Sequence, residues 1–531
     1  MKNHQIDHKS HRQTIDVTAP WQAPIDHKIM QRVEQRVIKQ LLQALLYENI
    51  IEFEYESAAS SSDAVLLDFT IKAADNIHYQ AQGYIHYSFE IIRFNDCNVQ
   101  RIIAGKACNA TLENVISDIL LKIEDAALKD SFIKELRHTL INETQVQRLS
   151  PNLSVPNMAT AVDTLTYEQL EGYLMAGHPY HPCFKSRIGF DLQDNYDYGP
   201  EFDQNIEVVW LAVKKDLLVS NTAIDIDVDE WIKDYVGADN FAALHDKLTH
   251  ILATTSEQNE NEATTATAYG LIPAHPWQWQ NTLILALQPL IDTQEVIYLG
   301  STGNQYRAQQ SIRSLSMLQA DKAYLKLSMH LMNTSSTRIL AKHTVMNAAV
   351  VTKWLNQLVA EDGAAQALQI AFLGETVGVS LDHEMLQQRG YQHPHIYGGL
   401  GAIWRENVSQ YLSTSQTAFP LNGVSYIHTD GSILIDPWIK KYGAEAWTAQ
   451  LIKVTVAPVL HLLFGHGVAL ECHAQNIVLV HEAGFPVKIL LKDLHDGVRY
   501  SPKHLTRQDL IPNFYSLPAA HAALNRGSFI E

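Results

Sequence analysis

The chain has 531 residues, 46% of them hydrophobic, and carries 40 Lys and Arg against 58 Asp and Glu, a formal charge of −18. That length supports a large core and more than one domain-sized region. The acidic balance argues against nucleic acid as the main partner, because a phosphate backbone attracts a basic surface. The four cysteines, Cys97, Cys108, Cys183 and Cys472, contain no CxxC pair, which argues against a disulfide framework or a structural zinc site.

The start, MKNHQIDHKSHRQ, is polar and lacks the apolar core of a leader peptide. With no run of 18 or more apolar residues, no membrane span is expected, and the sequence reads as cytoplasmic. His4, His8 and His11 cluster here; a solvated terminus explains them better than a metal site. Over 27–48, Val33, Val37, Leu41 and Leu45 recur at helical spacing. IIEFEYE, AVLLDFTI and the alternating stretch from Ile77 to Phe94 predict antiparallel strands, and 112–143 returns to helix. This first region is α+β and holds no chemical motif. QRLSPNLSVPNM, with two prolines, is a connector.

GHPYHPCFKSRIGF (177–190) comes next. Its two His-Pro pairs stiffen the backbone, and Lys185 and Arg187 fall on one face if the segment is extended. A basic loop facing an anion is expected; His178 and His181 lack the further ligands of a tetrahedral metal site. The polar run ATTSEQNENEATTATA (253–268) cannot pack a core and predicts an exposed loop. LIPAHPWQWQ (271–280) has no basic residue; His275 is expected to hydrogen-bond within the core while Trp277 and Trp279 pack.

QQSIRSLS (309–316) offers Arg313 between Ser311 and Ser314, a guanidinium fork able to hold phosphate oxygens; a surface turn fits the same string. In KAYLKLSMHLMNTSSTRIL (322–340), Tyr324 to Leu331 alternates strictly, with Lys326, Ser328 and His330 on one face. Asn333-Thr334-Ser335-Ser336 reads as a helix N-cap with Arg338 in the first turn. Arg opposes the helix dipole there, which makes sense if the helix end binds an anion. A solvated Lys and Arg is the competing account. Helical patterns follow at 345–362 and 446–466.

HGVALECHAQN (466–476) leads into IVLVHEAGFPVKILLKDLHDG. NIVLVH and VKILLKD predict a hairpin about EAGFP. With His481 opposite Val487, Asp493 falls opposite Gln475 and beside Asn476. One carboxylate and two amides then meet at the open end, hard oxygens suited to Mg²⁺ on phosphates, as protein kinases use an Asn and an Asp. An ordinary hairpin with polar ends fits too. Glu471 and His473 lie just upstream, and Cys472 is expected to pack, not to act as a nucleophile.

Taken in order, these segments resemble the siderophore synthetases that work without a peptide template, of the aerobactin-synthetase type. GHPxHPxxKxRxGF is matched from Gly177 to Phe190, PxHPWQ from Pro273 to Gln278, and S-x-R-[ST] from Ser311 to Ser314. K-L and T-S-x-x-R are matched at Lys326, Leu327, Thr334, Ser335 and Arg338; I-x-R-E is matched by IWRE (403–406). G-x-x-x-E-x-H-x-Q-N is matched at Gly467, Glu471, His473, Gln475 and Asn476, with Asp493 following and Gly497 one residue later than usual. Lys492 stands where the family often has Arg. The resemblance implies an α+β hand-like fold with antiparallel sheets: a thumb over 1–150, fingers over 151–345, and a mainly helical palm over 346–531 that holds the kinase-like hairpin. It implies ATP and Mg²⁺, formation of an acyl-adenylate, and condensation of a carboxylate, citrate or a citryl derivative favoured, with an amine or alcohol. Ser311, Arg313, Ser314 and Lys326 would hold phosphates, and His178, Lys185 and Arg187 would line the nucleotide pocket. Gln475, Asn476 and Asp493 would serve nucleotide and metal, with Glu471 completing the metal set. Thr334, Ser335, Arg338 and His473 would bind the carboxylate, and Arg338, His473 and Lys326 would carry the chemistry. A homodimer is common in the family. Two alternatives are a kinase-like or acyl-phosphate-forming enzyme releasing ADP, and a non-catalytic siderophore- or citrate-binding protein.

Overall fold

The computed structural model describes residues 16–17, 27–57, 66–74, 76–123, 126–150, 164–174, 177–256, 265–334, 336–428, 431–495 and 497–515. The N-terminal histidines, the proline-containing connector from 151 on, residues 257–264 of the polar run and Ser335 lie outside these. The chain forms two compact units, one from 1–150 with 178–196, the other from 151–177 with 197–531.

In the first unit, the expected helix is His27–Tyr47, which turns Val33, Val37, Leu41 and Leu45 into the core. Strands Phe53–Ser57, Leu67–Ala74, Ile77–Ile85 and Ile92–Phe94 pair antiparallel as expected. Two strands that the sequence did not suggest, Gln100–Ile103 and Lys106–Asn109, extend the same sheet. Arg101 on the first of them reaches the end of helix Leu112–Asp118 and clamps Asp118 through Nε at 2.6 Å and Nη2 at 3.0 Å. The Tyr79 hydroxyl donates to the same carboxylate at 2.6 Å. Burial pushes the Asp118 pKa up, but Arg101 and Tyr79 outweigh it and hold it below the usual value. A carboxyl depressed on folding stabilises above its unfolded pKa of about 3.9 and loses that contribution as pH falls through the folded value. Asp118→Asn is therefore expected to cost about 2 kcal/mol at neutral pH, and the loss should shrink in acid denaturation curves below about pH 4.

The segment expected among the fingers, 178–196, belongs to this first unit. Cys183 and Phe184 are part of its core, and Gln40 donates to the carbonyls of His178 and His181 at 2.8 and 3.2 Å.

The second unit has no break at 345. Its six-stranded antiparallel sheet runs Tyr306–Ala308, Ser314–Met317, Tyr324–Leu327, Gly401–Arg405, Glu375–Leu381, Leu218–Thr222. Strands from both sides of the expected boundary are thus hydrogen-bonded neighbours. Helix Lys342–Ala360 lies so close on this sheet that a Cβ at Gly378 would stand 2.6 Å from the Val345 carbonyl. A three-stranded sheet orders Val296–Gly300, Val209–Lys214 and Tyr269–Ala274. His275 is fully buried, accepts from Trp277 N at 3.2 Å and packs on Tyr198, as the absence of basic neighbours suggested.

The expected hairpin is Ile477–Glu482 with Phe485–Leu491. Its turn is shorter than the five-residue EAGFP: Ala483 and Gly484 alone make it, both at positive φ (47° and 89°), as a primed two-residue turn requires. Ile477 pairs with Leu491, so the register at the open end is as expected, while a bulge at the turn end places His481 opposite Pro486 rather than Val487. Gln416–Pro420 and, in the sheet's one parallel pairing, Ala371–Phe372 flank the hairpin. Helix Ala444–Leu460 and the π-turn His461–Gly465 follow one another along the hairpin. Together they are long and apolar enough to cross a membrane by length and composition, although polar residues interrupt the apolar run. Trp447 and Leu462 join the core, whereas Ile452, Val456, Leu460 and Phe464 are exposed.

Candidate functional site

The charged residues of the second unit converge where the six-stranded sheet meets the end of the hairpin. The strand Tyr324–Leu327 is buried on both faces, so its alternation separates a core face from a polar interior and not from solvent. Lys326 projects on the polar side and donates to Asp493 Oδ1 at 2.7 Å. Its Nζ lies 3.6 Å from Glu375 Oε1 and 3.3 Å from His495 Nε2. Arg405, on the neighbouring strand Gly401–Arg405, donates to the same Asp493 oxygen at 3.1 Å and to Gln309 at 2.6 Å, and its guanidinium sits 5.3 Å from the Tyr324 ring centroid. Glu375, with no exposed surface, takes His495 Nδ1 on both oxygens at 2.7 and 2.8 Å. Burial raises the Glu375 pKa, yet the neighbouring His495 and Lys326 bring it below the ordinary value. Asp493 sits at φ 61° just beyond the hairpin, and the positive groups around it hold its carboxyl well below the usual range in spite of burial.

Ser314 pairs in register with Lys326, and Ser311 Oγ accepts from Ser314 N at 3.2 Å. Ile312 between them adopts φ 68°, so 309–314 makes a tight turn that leads into the strand Ser314–Met317. Arg313 is buried and donates to the Ile339 carbonyl at 2.6 Å. The segment expected as a helix N-terminus is instead a small hairpin, Met332–Asn333 with Ser336–Thr337, turning at Thr334 with φ 60°. The helix starts only at Lys342. The short polar residues that favour N-caps equally favour tight turns, and pairing of Met332 with Thr337 decides for the turn. Arg338 folds back over this hairpin, donating to Asn333 O, Thr334 Oγ1 and Ser336 Oγ at 3.2 Å each. It forms no ion pair among the described residues. Burial and the nearby charge of Arg313 push its pKa down to about 10, with Asp493 acting in the opposite sense. Four cations, Arg313, Lys326, Arg338 and Arg405, therefore surround two carboxylates.

Asn476 is buried at the end of the hairpin, where Lys492 N donates to its carbonyl at 3.0 Å. Its side-chain amide donates to the Glu471 carbonyl at 3.0 Å, leaving the amide oxygen turned from that bond. Glu471, His473 and Gln475 are exposed on the connecting loop. Cys472 is half-buried against the core and burial raises its thiol pKa to about 11, in keeping with packing.

Lys185 and Arg187, expected at the nucleotide, are fully buried within the first unit. Lys185 pairs with Glu143, and Arg187 Nη1 donates to Asn195 Oδ1 at 2.5 Å. His178 Nδ1 accepts from the backbone of Tyr180 and His181 at 3.1 and 2.9 Å, shaping the loop. Within the first unit these contacts hold the segment's own loop and core together.

Glu375, His495, and Glu171 and Tyr167 of a buried trio with Lys492, were not singled out in the sequence, and Arg405 and Lys492 entered only as motif positions without a site role. Lys492 Nζ donates to Glu171 at 2.7 Å and to Tyr167 Oη at 3.0 Å. The available signal was a lone charge inside an apolar strand, as in GETVGVSL and GAIWRE: such a charge is buried and must be paired.

Comparison with known proteins fits this picture. Residues 166–426 match the IucA / IucC family, and 445–528 match the description "Ferric iron reductase FhuF-like transporter". Among solved structures, the petrobactin biosynthesis protein AsbB from Bacillus anthracis str. Sterne superposes with a TM-score of 0.79 at 31% identity, covering 92% of this chain and 77% of that one. The ATP-bound aerobactin synthetase IucA from Klebsiella pneumoniae, at 18% identity and TM-score 0.67, shares the fold, covering 88% of this chain and 80% of that one. A Staphylococcus aureus (strain NCTC 8325 / PS 47) protein is 35% identical over 96% of this chain and 79% of its own length. It is named 2-[(L-alanin-3-ylcarbamoyl)methyl]-3-(2-aminoethylcarbamoyl)-2-hydroxypropanoate synthase. The citryl-spermidine/3,4-dihydroxybenzoyl-citryl-spermidine:spermidine ligase of Bacillus anthracis is 32% identical over 92% of this chain and 76% of its own. The fold is shared with enzymes of siderophore biosynthesis, and the relatives are named synthases and ligases. The chain belongs to the IucA/IucC family of siderophore synthetases that work without a peptide template.

Proposed function

We propose that the second unit binds ATP and a carboxylic acid at the cation cluster, joins them as an acyl-adenylate with release of pyrophosphate, and transfers the acyl group to an amine or alcohol with release of AMP. One observation carries this: Arg338 has no carboxylate partner among the described residues, beside Arg313 and the Lys326–Asp493–Arg405 set. Two anions must approach each other for the acid oxygen to attack the α-phosphorus. Cations already fixed in a buried site offset that repulsion without reorganising, and holding the reactants together supplies much of the remainder.

In this reading Ser311, Arg313, Ser314 and Lys326 hold phosphate oxygens. Arg338 grips the carboxylate, with Thr334, Ser335 and His473 around it. Gln475 contacts the nucleotide. The donor set fits Mg²⁺: both cation contacts of Asp493 fall on Oδ1, which leaves Oδ2, and the Asn476 amide oxygen and the Glu471 carboxylate are further hard ligands. Bound there, Mg²⁺ would neutralise phosphate charge. The citryl amides in the names of the relatives support citrate or a citryl derivative as the acid and a polyamine or amino acid as the nucleophile.

The test is to incubate the full chain with ATP, Mg²⁺ and a panel of acids, using hydroxylamine as a general acceptor. AMP and pyrophosphate are expected, released only with the cognate acid. ADP as the product would overturn adenylation.

A further inference from the structure

Away from the charge cluster, two imidazoles and a carboxylate meet at the end of the apolar helix. His461 Nε2 lies 2.6 Å and His466 Nε2 2.7 Å from the same oxygen, Asp362 Oδ2. The three ligand atoms lie within 4.8 Å of one another. We propose that Asp362, His461 and His466 form a binding site for a divalent first-row transition ion of the Zn²⁺ kind, independent of the ATP reaction.

Local backbone geometry brings the two rings together. On a regular α-helix residues five apart point about 140° apart around the axis, too far to share a ligand. Here His461–Gly465 forms a π-turn, whose wider winding carries residue i+5 round towards residue i. Gly465 admits the ring, since a Cβ there would meet His461 Cε1 at 3.0 Å. The other ligand is fixed independently. Asp362 caps the short helix Gly363–Ala367, its Oδ1 accepting from Ala364 N at 2.7 Å, so Oδ2 is the oxygen presented to the rings. His466 Nδ1 meets Thr506 Oγ1 at 3.2 Å, the outer partner that orients a metal-binding imidazole.

The donor chemistry selects the ion. Two imidazole nitrogens with one carboxylate suit Zn²⁺ and its neighbours, whereas Mg²⁺ prefers oxygen alone. His466 is buried, but the Asp362 and His461 side chains are 20% and 23% exposed, leaving an approach for the ion and room for a water as fourth ligand. The ion would take the place of the hydrogens now shared between the rings and Oδ2, each neutral imidazole carrying its one hydrogen on Nδ1 instead. It would tie the end of the long helix to the segment after helix Lys342–Ala360.

The experiment compares Zn²⁺ binding to the full chain with two variants by calorimetry and metal analysis, and records visible spectra after loading with Co²⁺. His461→Ala/His466→Ala removes both rings. Asp362→Ser removes the ligand but retains a helix cap, which guards against misfolding. Because His4, His8 and His11 are present in every form, the difference between chains is the measurement. The wild type is expected to hold one more Zn²⁺ than the double variant and to show a four-coordinate Co²⁺ band that both variants lack. Asp362→Ser is expected to bind at least about tenfold more weakly. Equal stoichiometry with no Co²⁺ band in the wild type would overturn the site. Displacement of Zn²⁺ by equimolar Mg²⁺ would overturn the assignment of the ion.

Discussion

Arg338→Ala is expected to lower acid-dependent pyrophosphate release by about 10²–10³-fold, the usual effect of removing one fixed group that meets developing charge. It should do so with little loss of stability. The three hydrogen bonds of Arg338 go to one carbonyl and two hydroxyls on a small surface hairpin, with no ion partner left behind. Thermal unfolding of the variant should stay within about 4 °C of the wild type. Arg338→Lys returns the charge without the planar fork and should recover only part of the rate. Wild-type turnover in the alanine variant would remove Arg338 from the chemistry.

Glu375→Gln should show the opposite pattern, a large loss of stability of about 3–5 kcal/mol, since half of a buried ion pair is removed. Glu375 has no exposed surface, and it receives His495 on both oxygens and Lys326 at 3.6 Å. With a neutral amide in its place, Lys326 relies on Asp493 alone. The denaturant midpoint should fall while the slope stays constant. Lys326→Met in the same background should cost less than it does alone, because the two residues share one network. Additive losses would mean that Glu375 acts independently of Lys326.

The contrast between these residues reflects what a sequence displays. Lys326 and Arg338 stood out because each follows a recognisable local pattern, an alternating strand and a run of short polar residues. The hairpin register was legible because alternation and Gly484 fix which residues face each other. The bulge at His481 was not, since it depends on how Pro486 fits the strand edge. Thr334 to Arg338 was misread because caps and tight turns draw on the same residues, and only pairing with Met332 separates them. Glu375, Arg405 and His495 are distant in sequence and become a network only when three strands are adjacent. Lys185 and Arg187 show the converse: a string specific enough to identify the family holds the first unit together.

That last point bears on how such proteins can be cut and recombined. Residue 150 looks like a natural seam, yet the first unit is completed only by 178–196. A fragment ending at 150 lacks Cys183 and Phe184 from its own core and leaves Glu143 buried without Lys185. A single crossover between two family members at that seam would pair a Glu143 from one parent with a Lys185 from the other. Chimeras should survive when both breakpoints travel together, so that 1–150 and 178–196 are exchanged as one block.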